Sequence, residues 1–570
     1  MINIEKEIEK KFPAITKKPK LLQKSLFKIA QKIIHEDKIN KFLQINEHLE
    51  GFEFIDATLD YFSFDFSFSS NDIENIPTTG KVVIISNHPL GGLDALSLLK
   101  LVGKVRKDVR IVANDFLAEL KPLENLFIQI DNFKNRQTKQ SVKKIYEALE
   151  NEEAVIIFPA GEVSRISPNG VRDGSWQKGF LKFAQKSKSP ILPILVDAKN
   201  SKTFYTISVL NKAFSTILLS DEMFKQKDKT VSIKIGQLIS NEDIIPKYEI
   251  STESLVKLYK KHLYALRKGK KSFFQTQNSI ALPENRKSIK AELKQSEVLG
   301  KTKDNKIIYL YSYKTDGAVL KEIGRLREIS FRQVDEGVNK RRDFDKYDKY
   351  YKHIVLWDED ELEIVGAYRI AECEEVVKKI GKDGLYTATL FELNDNIDKY
   401  LENAIELGRS FVQPKYWGTR ALDYLWYGIG AYLRNNDNIK YMFGPVSLSA
   451  TYPQYAKELL VDFYSNYFPC KEKIVNSKIP FEFETEDIAF KELFTFDDYK
   501  KDFKMLKSTL SNMGVAVPTL YKQYSQIFDE GGVWFCDFNI DPDFSDCIDG
   551  FIFTDITKIK NSSKDRYIGE

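Results

Sequence analysis

Four short runs rich in β-branched residues, at 81–86 (KVVIIS), 109–113 (VRIVA), 154–158 (AVIIF) and 191–196 (ILPILV), are separated by helical patterns such as 137–150 (QTKQSVKKIYEALE). Runs of this kind read as strands, and strands that alternate with helices assemble into a largely parallel sheet. The first half is therefore expected to be an α/β domain. Residues 51–70 (GFEFIDATLDYFSFDFSFSS) alternate aromatic and polar side chains, which predicts a further strand.

From about 268 to 305 the chain turns polar and lysine-rich (KGKKSFFQTQNS, then ENRKSIKAELKQSEVLGKTKDNK), with little strand character, and a domain boundary is placed near 280. Beyond it come a helical segment from Val319 to Val334, strand-like runs at 353–357 and 363–370, and a long helix at 420–434, the pattern of a second α/β unit. A length of 570 residues exceeds what one core supports. The expected partition is an amphipathic helical region at 1–50, a first domain at 51–275, a linker at 276–305 and a second domain at 306–570. No repeat at a fixed period relates the two halves.

With 42% hydrophobic and 29% charged residues and a net charge of +4, the composition is that of globular domains rather than a disordered chain. Cys373, Cys470, Cys536 and Cys547 lack C-x-x-C spacing, which argues against a disulfide framework or a zinc site and fits a reducing cytosol. No apolar run approaches the roughly 18–20 residues that span a bilayer, and the N-terminus has no signal-peptide core, so neither translocation nor membrane integration is expected. Residues 17–34 place Leu22, Leu26, Ile29 and Ile33 on one helical face among lysines. Such a face suits an anionic membrane surface and equally suits packing on the protein's own core.

Histidine is scarce, at five in the chain, and His88 stands directly after the first strand run, in SNHPLGGLDAL. The glycines allow the backbone to fold back so that Asp94 approaches the imidazole. Such a dyad suits acyl transfer to a hydroxyl, the imidazole taking the alcohol proton while the carboxylate orients the ring. A capped turn and helix start would use the same residue types. A second segment, Phe158-Pro-Ala-Gly-Glu-Val-Ser-Arg165, again follows a strand run, and Ile191-Leu-Pro-Ile194 follows later.

In order and spacing these segments resemble the glycerolipid acyltransferase (PlsC-like) family, whose motifs are N-H-x-x-x-x-D, F-P-E-G-x-x-S and an apolar V-P segment. The resemblance covers roughly residues 50–265. It implies that His88 is the base and Asp94 its partner, and that Gly161, Glu162 and Ser164 help to place the acyl acceptor. Five residues rather than four separate His88 from Asp94, and Ala160 stands where the family has Glu. Both departures resemble the hemolysin-like and lyso-ornithine-lipid branch. Arg136 is either a family arginine that meets an anionic group or a solvated surface residue.

In the second half, REISFRQVDEGVNKRRDFDKYDKYYKHIVLWD is followed by VGAYRI, ELGRSFVQPKYWG and FGPVSL. From about Leu320 onward this resembles the ornithine N-acyltransferase family, a GNAT-like group distantly related to acyl-homoserine-lactone synthases. Asp343, Asp345, Asp348 and Glu406 supply carboxylates for a cationic amino acid, and Arg327, Arg369 and Arg409 suit its carboxylate. Without the resemblance, the run KRRDFDKYDK reads as a solvated, ion-paired surface. Glu406 is the expected catalytic carboxylate. Glu406 and Arg409, three apart, share a face only on a helix. Gly418, Thr419 and Arg420 open the long helix, whose free N–H groups suit the phosphate of a phosphopantetheine arm. The glycines of YGIGAYL lie within that helix and read as close packing rather than a dinucleotide motif.

Together the halves resemble the bifunctional ornithine lipid synthases of bacteria. The resemblance implies that the second domain passes a 3-hydroxyacyl group from acyl carrier protein to the α-amine of ornithine, and that the first then esterifies the 3-hydroxyl. It implies no bound cofactor or metal, acyl carrier protein and a membrane surface as partners, no nucleic acid, and a cytoplasmic place at the inner face of the membrane. The same two reactions on glycine or another amino acid are the alternative within this class. A non-catalytic membrane-associated binding protein is the alternative outside it.

Overall fold

The computed structural model describes Glu5 and residues 19–114, 120–130, 139–168, 170–210, 212–240, 250–270, 272–334, 336–484 and 493–569. The chain divides into two compact units, Met1–Leu282 and Pro283–Glu570.

The first unit contains β1 (Asp65–Ser67), β2 (Val82–Ser86), β3 (Val109–Asn114), β4 (Phe127–Ile130), β5 (Ala154–Ile157), β6 (Arg165–Ser167), β7 (Gly170–Arg172), β8 (Ile191–Asp197) and β9 (Thr230–Ile235). Its main sheet runs β1-β9-β8-β2-β5-β3-β4, parallel except between β8 and β9, while β6 and β7 form a separate antiparallel pair. Two short strands, β10 (Leu238–Ile239) and β11 (Thr276–Gln277), extend the sheet beside β8. Val82 and Ile84 pack into the core on one face and Val83 and Ile85 into that on the other, all fully buried. A strand covered on both faces must be apolar throughout, which is why β2 reads as an unbroken run. Its parallel neighbour β5 ends level with it, so the loops that follow both strands emerge side by side at the carboxyl edge of the sheet.

One expectation fails here. Residues 51–70 do not form a strand: Gly51–Tyr61 is a helix that buries Phe54, Ile55, Thr58 and Leu59, and only Asp65–Ser67 is extended. Burial at these spacings is the helical period, which the interleaved aromatics obscured. In the Lys20–Ile34 helix the packed stripe is Phe27, Ala30 and Ile34, against the Lys212–Lys225 helix. Leu22 and Ile29, on the face expected to be apolar, are 46% and 56% exposed. Among the described residues, no helix is long and apolar enough to cross a membrane.

The second unit holds β12 (Glu297–Lys301), β13 (Lys306–Ser312), β14 (Lys352–Asp358), β15 (Glu363–Glu372), β16 (Phe391–Leu393), β17 (Ala404–Val412), β18 (Tyr441–Leu448), β19 (Val475–Ser477), β20 (Val533–Asp541) and β21 (Cys547–Asp555). Eight of them form a sheet in the order β12-β13-β14-β15-β17-β18-β21-β20, antiparallel at each step except β17 to β18, and β16 pairs with β19. The Ala421–Asn435 helix covers one face with Leu425 and Ile429, and the Ala318–Arg332 helix covers the other with Val319, Ile323 and Leu326. A Cβ on Gly428 would fall 2.6 Å from Ile354, so this glycine serves close helix-to-sheet packing.

Residues 276–305 are not a linker. Beyond β11, Asn285 caps the Arg286–Leu293 helix by accepting from the Lys287 and Ser288 amides, Ile289 and Leu293 are buried in the second core, and β12 pairs with β13. The lysines that gave the segment its linker composition belong to a helix that buries two side chains and to an edge strand, so composition misled.

The parallel contact between β17 and β18 spans three residue pairs, Ala404–Tyr441 to Glu406–Phe443. Past it, β17 continues along β15 and β18 along β21. The two strands part, and a cavity of about 130 Å³ opens between them.

Candidate active sites

The loop after β2 carries the first site. Asn87 fixes its root: its side-chain amide donates to the Val196 carbonyl and accepts from the Val196 amide, both at 2.8 Å, so it pairs with β8 as a backbone peptide would. His88 follows. Its Nδ1 lies 3.3 Å from Asp94 Oδ2, and its ring stacks on Phe158 with centroids 4.0 Å apart. Asp94 opens the Gly92–Gly103 helix and accepts from the Leu90 and Gly91 amides at 2.6 and 3.1 Å. The dyad and the capped helix start are thus one arrangement. Burial pushes the Asp94 carboxyl up, and the imidazole and the two amides oppose that shift. With Nδ1 turned to Asp94, Nε2 is the nitrogen left to take a proton from a hydroxyl.

The segment after β5 closes over this loop. The Ser164 amide donates to the His88 carbonyl at 2.7 Å, and Gly161, at φ +66° in the turn begun by Phe158, lets the chain reverse. Glu162 lies 3.7 Å from Arg165, which also bonds Ser215. Arg136 lies outside the described residues.

The second site is buried. Arg327, from the Ala318–Arg332 helix, donates to Asp348 at 2.8 Å, and Arg369, from β15, donates to both oxygens of Asp345 at 2.7 Å and to Asp348 at 3.3 Å. Arg409, from β17, donates to Asp343 at 3.2 Å and lies 3.8 Å from Asp345. Charges this deep are tolerated only when paired. Burial disfavours ionisation of Asp348, and Arg327 and Arg369 outweigh it, holding the carboxyl well below the usual range. His353, against Arg327, is pushed down to about 3 by burial and by that guanidinium, so its ring is neutral.

Residues three apart on a regular strand face opposite ways. Arg409 has φ +46° and sits where the β15–β17 register slips between Ala367 and Arg369, a bulge that returns it to the side of Glu406. Both then meet Tyr386: its amide donates to Glu406 at 3.1 Å, and its ring lies 5.1 Å from the Arg409 guanidinium. The Glu406 oxygens also accept from Tyr351, from the Thr387 hydroxyl and from the Thr387 amide at 2.6 Å. Arg409, Tyr386, Ser447 and Asp549 line the cavity between β17 and β18, and Glu406 does not.

Gly418, Thr419 and Arg420 do not line it either. They precede the Ala421–Asn435 helix, where Arg420 and Arg566 both donate to Asp423 in the first turn. Among the described residues, no group of three or more His, Cys, Asp or Glu is arranged to hold a metal ion.

The acyltransferase family profile matches residues 9–271, and that of the acetyltransferase (GNAT) domain matches 326–427. The chain is 35% identical to a glycine N(alpha)-acyltransferase of Phocaeicola vulgatus over 261 residues, 44% of the chain and 80% of that relative. It is 31% identical to a lyso-glycine lipid O-acyltransferase of Bacteroides thetaiotaomicron over 246 residues, 42% of the chain and 88% of that relative. The chain belongs to this family of acyltransferases. An L-ornithine N(alpha)-acyltransferase of Brucella abortus is 31% identical over 119 residues, 20% of the chain and 41% of that relative.

Each acyltransferase domain holds a carboxylate that sequence reading missed. In the first, buried Asp173 accepts from Ser164 Oγ at 2.5 Å, Trp176 Nε1 at 2.9 Å and the His88 amide at 3.3 Å, joining both motif loops. In the second, Asp549 accepts from Ser447 Oγ at 2.6 Å. An aspartate in VRDGSW, soon after the second motif, was a visible signal for Asp173. Nothing near Asp549 marked it, because its partner lies on the neighbouring strand.

Proposed function

We propose that the GNAT domain acylates the α-amine of glycine with a 3-hydroxyacyl group from an acyl carrier protein thioester, and that the first domain then esterifies the 3-hydroxyl of this lyso-lipid. The order follows from the chemistry, since the hydroxyl deprotonated at His88 belongs to the chain installed by the other domain. His88 Nε2 takes the hydroxyl proton as the oxygen attacks the carbonyl of a second acyl thioester, Asp94 stabilises the imidazolium, and the C–S bond breaks with the proton passing to the leaving thiolate.

The observation that carries the choice of glycine is the pairing of Asp343, Asp345 and Asp348 with Arg327, Arg369 and Arg409. The carboxylates expected to greet a side-chain ammonium are already spent on guanidiniums, which favours an acceptor without one. The names of the relatives that match over most of their length support the same choice. Ornithine is the second reading, because Glu336 and Asp549 both line the cavity and would offer a carboxylate to its side chain. The exposed Leu22 and Ile29, beside lysines, support a membrane surface as the place where the lyso-lipid is met.

Mass spectrometry of lipids from cells that express the chain and make no aminolipid of their own tests the reading. Diacylated glycine lipid is expected, and ornithine lipid in its place would overturn the choice of acceptor.

A further inference from the structure

The cavity between β17 and β18 holds one deeply buried carboxylate that the arginine network leaves free. Asp549, on β21, lies opposite Ser447 of β18, whose hydroxyl donates to its Oδ1. Its other oxygen faces the Cys547 thiol at 3.8 Å, a weak donor. Arg409 enters the same cavity from β17 with its Nη1 on Asp343. Tyr386 and Glu336 also line the cavity, Tyr521 packs behind Gly550, and Asp541 lies on β20. Glu406 has both oxygens engaged by Tyr351, Thr387 and Tyr386 outside the cavity wall and has no lone pair directed to an acceptor there.

We propose that Asp549 is the general base of the N-acyl transfer, taking the proton from the acceptor amine inside this cavity, while Glu406 is a positioning residue that fixes Tyr386 and Tyr351. The inference rests on the amine-acylating reading of the GNAT domain. The amino acid enters as an ammonium and passes one proton to Asp549. The amine nitrogen attacks the thioester carbonyl, the C–N bond forms and the C–S bond breaks. The second amine proton goes to the leaving thiolate, and Asp549 returns its proton to solvent, so one proton is released per amide formed.

The environment suits a base that works near neutrality. Burial pushes the Asp549 carboxyl up to about 7, the Ser447 hydrogen bond and Arg409 restrain it, and Asp541 adds to the rise. Above that value the carboxylate is free to accept, and below it the group is occupied. The transfer rate is therefore expected to fall as pH drops through about 7.

The test uses the full chain, glycine, and a 3-hydroxyacyl thioester of acyl carrier protein, with kcat and KM followed from pH 5.5 to 9. Asp549→Asn is expected to lower kcat by about 100- to 10,000-fold with KM little changed, and to erase the acidic limb of the profile. Ser447→Ala, which removes a donor to the ionised form, is expected to lower the rate near neutral pH by moving that limb to higher pH, a shift that a purely structural role would not produce. Denaturant unfolding of the full chain, with the transition of the second unit unchanged from wild type, reports that the variants are folded. A wild-type kcat and limb in Asp549→Asn, or a loss confined to KM, would overturn the assignment. Failure of the wild-type chain to acylate glycine or ornithine would instead overturn the reading beneath it.

Discussion

His88, Asp94, Ser164 and Asp173 come from the two segments that follow adjacent parallel strands, whereas Arg327, Asp348, Arg369, Glu406, Arg409 and Asp549 come from one helix, one 3-10 turn and three strands of a mostly antiparallel sheet. Parallel strands present all their carboxyl ends on one edge, so a site built there is made of residues that directly follow strands. Antiparallel strands present alternate ends, and a site within such a sheet gathers side chains from mid-strand positions far apart in the chain. The first design writes its chemistry into short motifs. The second writes it into charge pairing that only the fold assembles.

The contrast breaks most sharply at His88. Replacing it with alanine removes the proposed base from one domain and nothing from the other. O-acylation is expected to fall by about 100- to 10,000-fold while N-acylation persists, so that lyso-lipid accumulates in lipid extracts. If N-acylation falls equally, the two sites are not separate.

Arg369→Met probes the second design. It leaves Asp345 and Asp348 facing a lost cation in a buried setting, which is expected to cost the second unit about 3–5 kcal/mol in denaturant unfolding of the full chain. Acid sharpens the point. Because the Asp348 carboxyl is depressed in the folded state, its contribution is complete above the unfolded value of about 3.9 and is lost as pH falls below it. The wild-type second unit is expected to weaken steeply below about pH 4, and Arg369→Met less steeply, since one cation that depresses Asp348 is gone. An unchanged acid slope in the variant would show that Arg327 alone sets it.

The smallest expected effect is at Asp173. Asp173→Asn keeps the shape but puts an amide where the Ser164 hydroxyl and Trp176 indole both donate. One donor loses its acceptor, for a cost of about 1–3 kcal/mol in stability of the first unit. A slower O-acylation with unchanged KM would show that the two loops must be held together for His88 to act.

Much of the first domain was legible because physics there acts locally. Strands buried on both faces give the apolar runs at 82–86 and 154–157, and the residues after them are where a parallel sheet places chemistry. Gly51–Tyr61 was misread because its aromatics mimic a period of two, and 276–305 because lysines on the outer side of a short helix look like a linker. In the second domain the arginines and aspartates were legible as a set, and their mutual pairing was not. The bulge that brings Arg409 beside Glu406 depends on a positive φ at a non-glycine residue, for which the sequence carries no mark. Asp549 was invisible for a related reason: its importance comes from the parting of two strands, a property of pairing rather than of composition.

Asn87 has one more consequence. Since its side chain bonds both the carbonyl and the amide of Val196, the loop that carries His88 is latched to the sheet by a pair of bonds that must break together. The Val196 amide hydrogen is thereby a built-in gauge of that latch, exchanging with solvent deuterium only when the loop lets go, at a rate that reports how often His88 leaves its place.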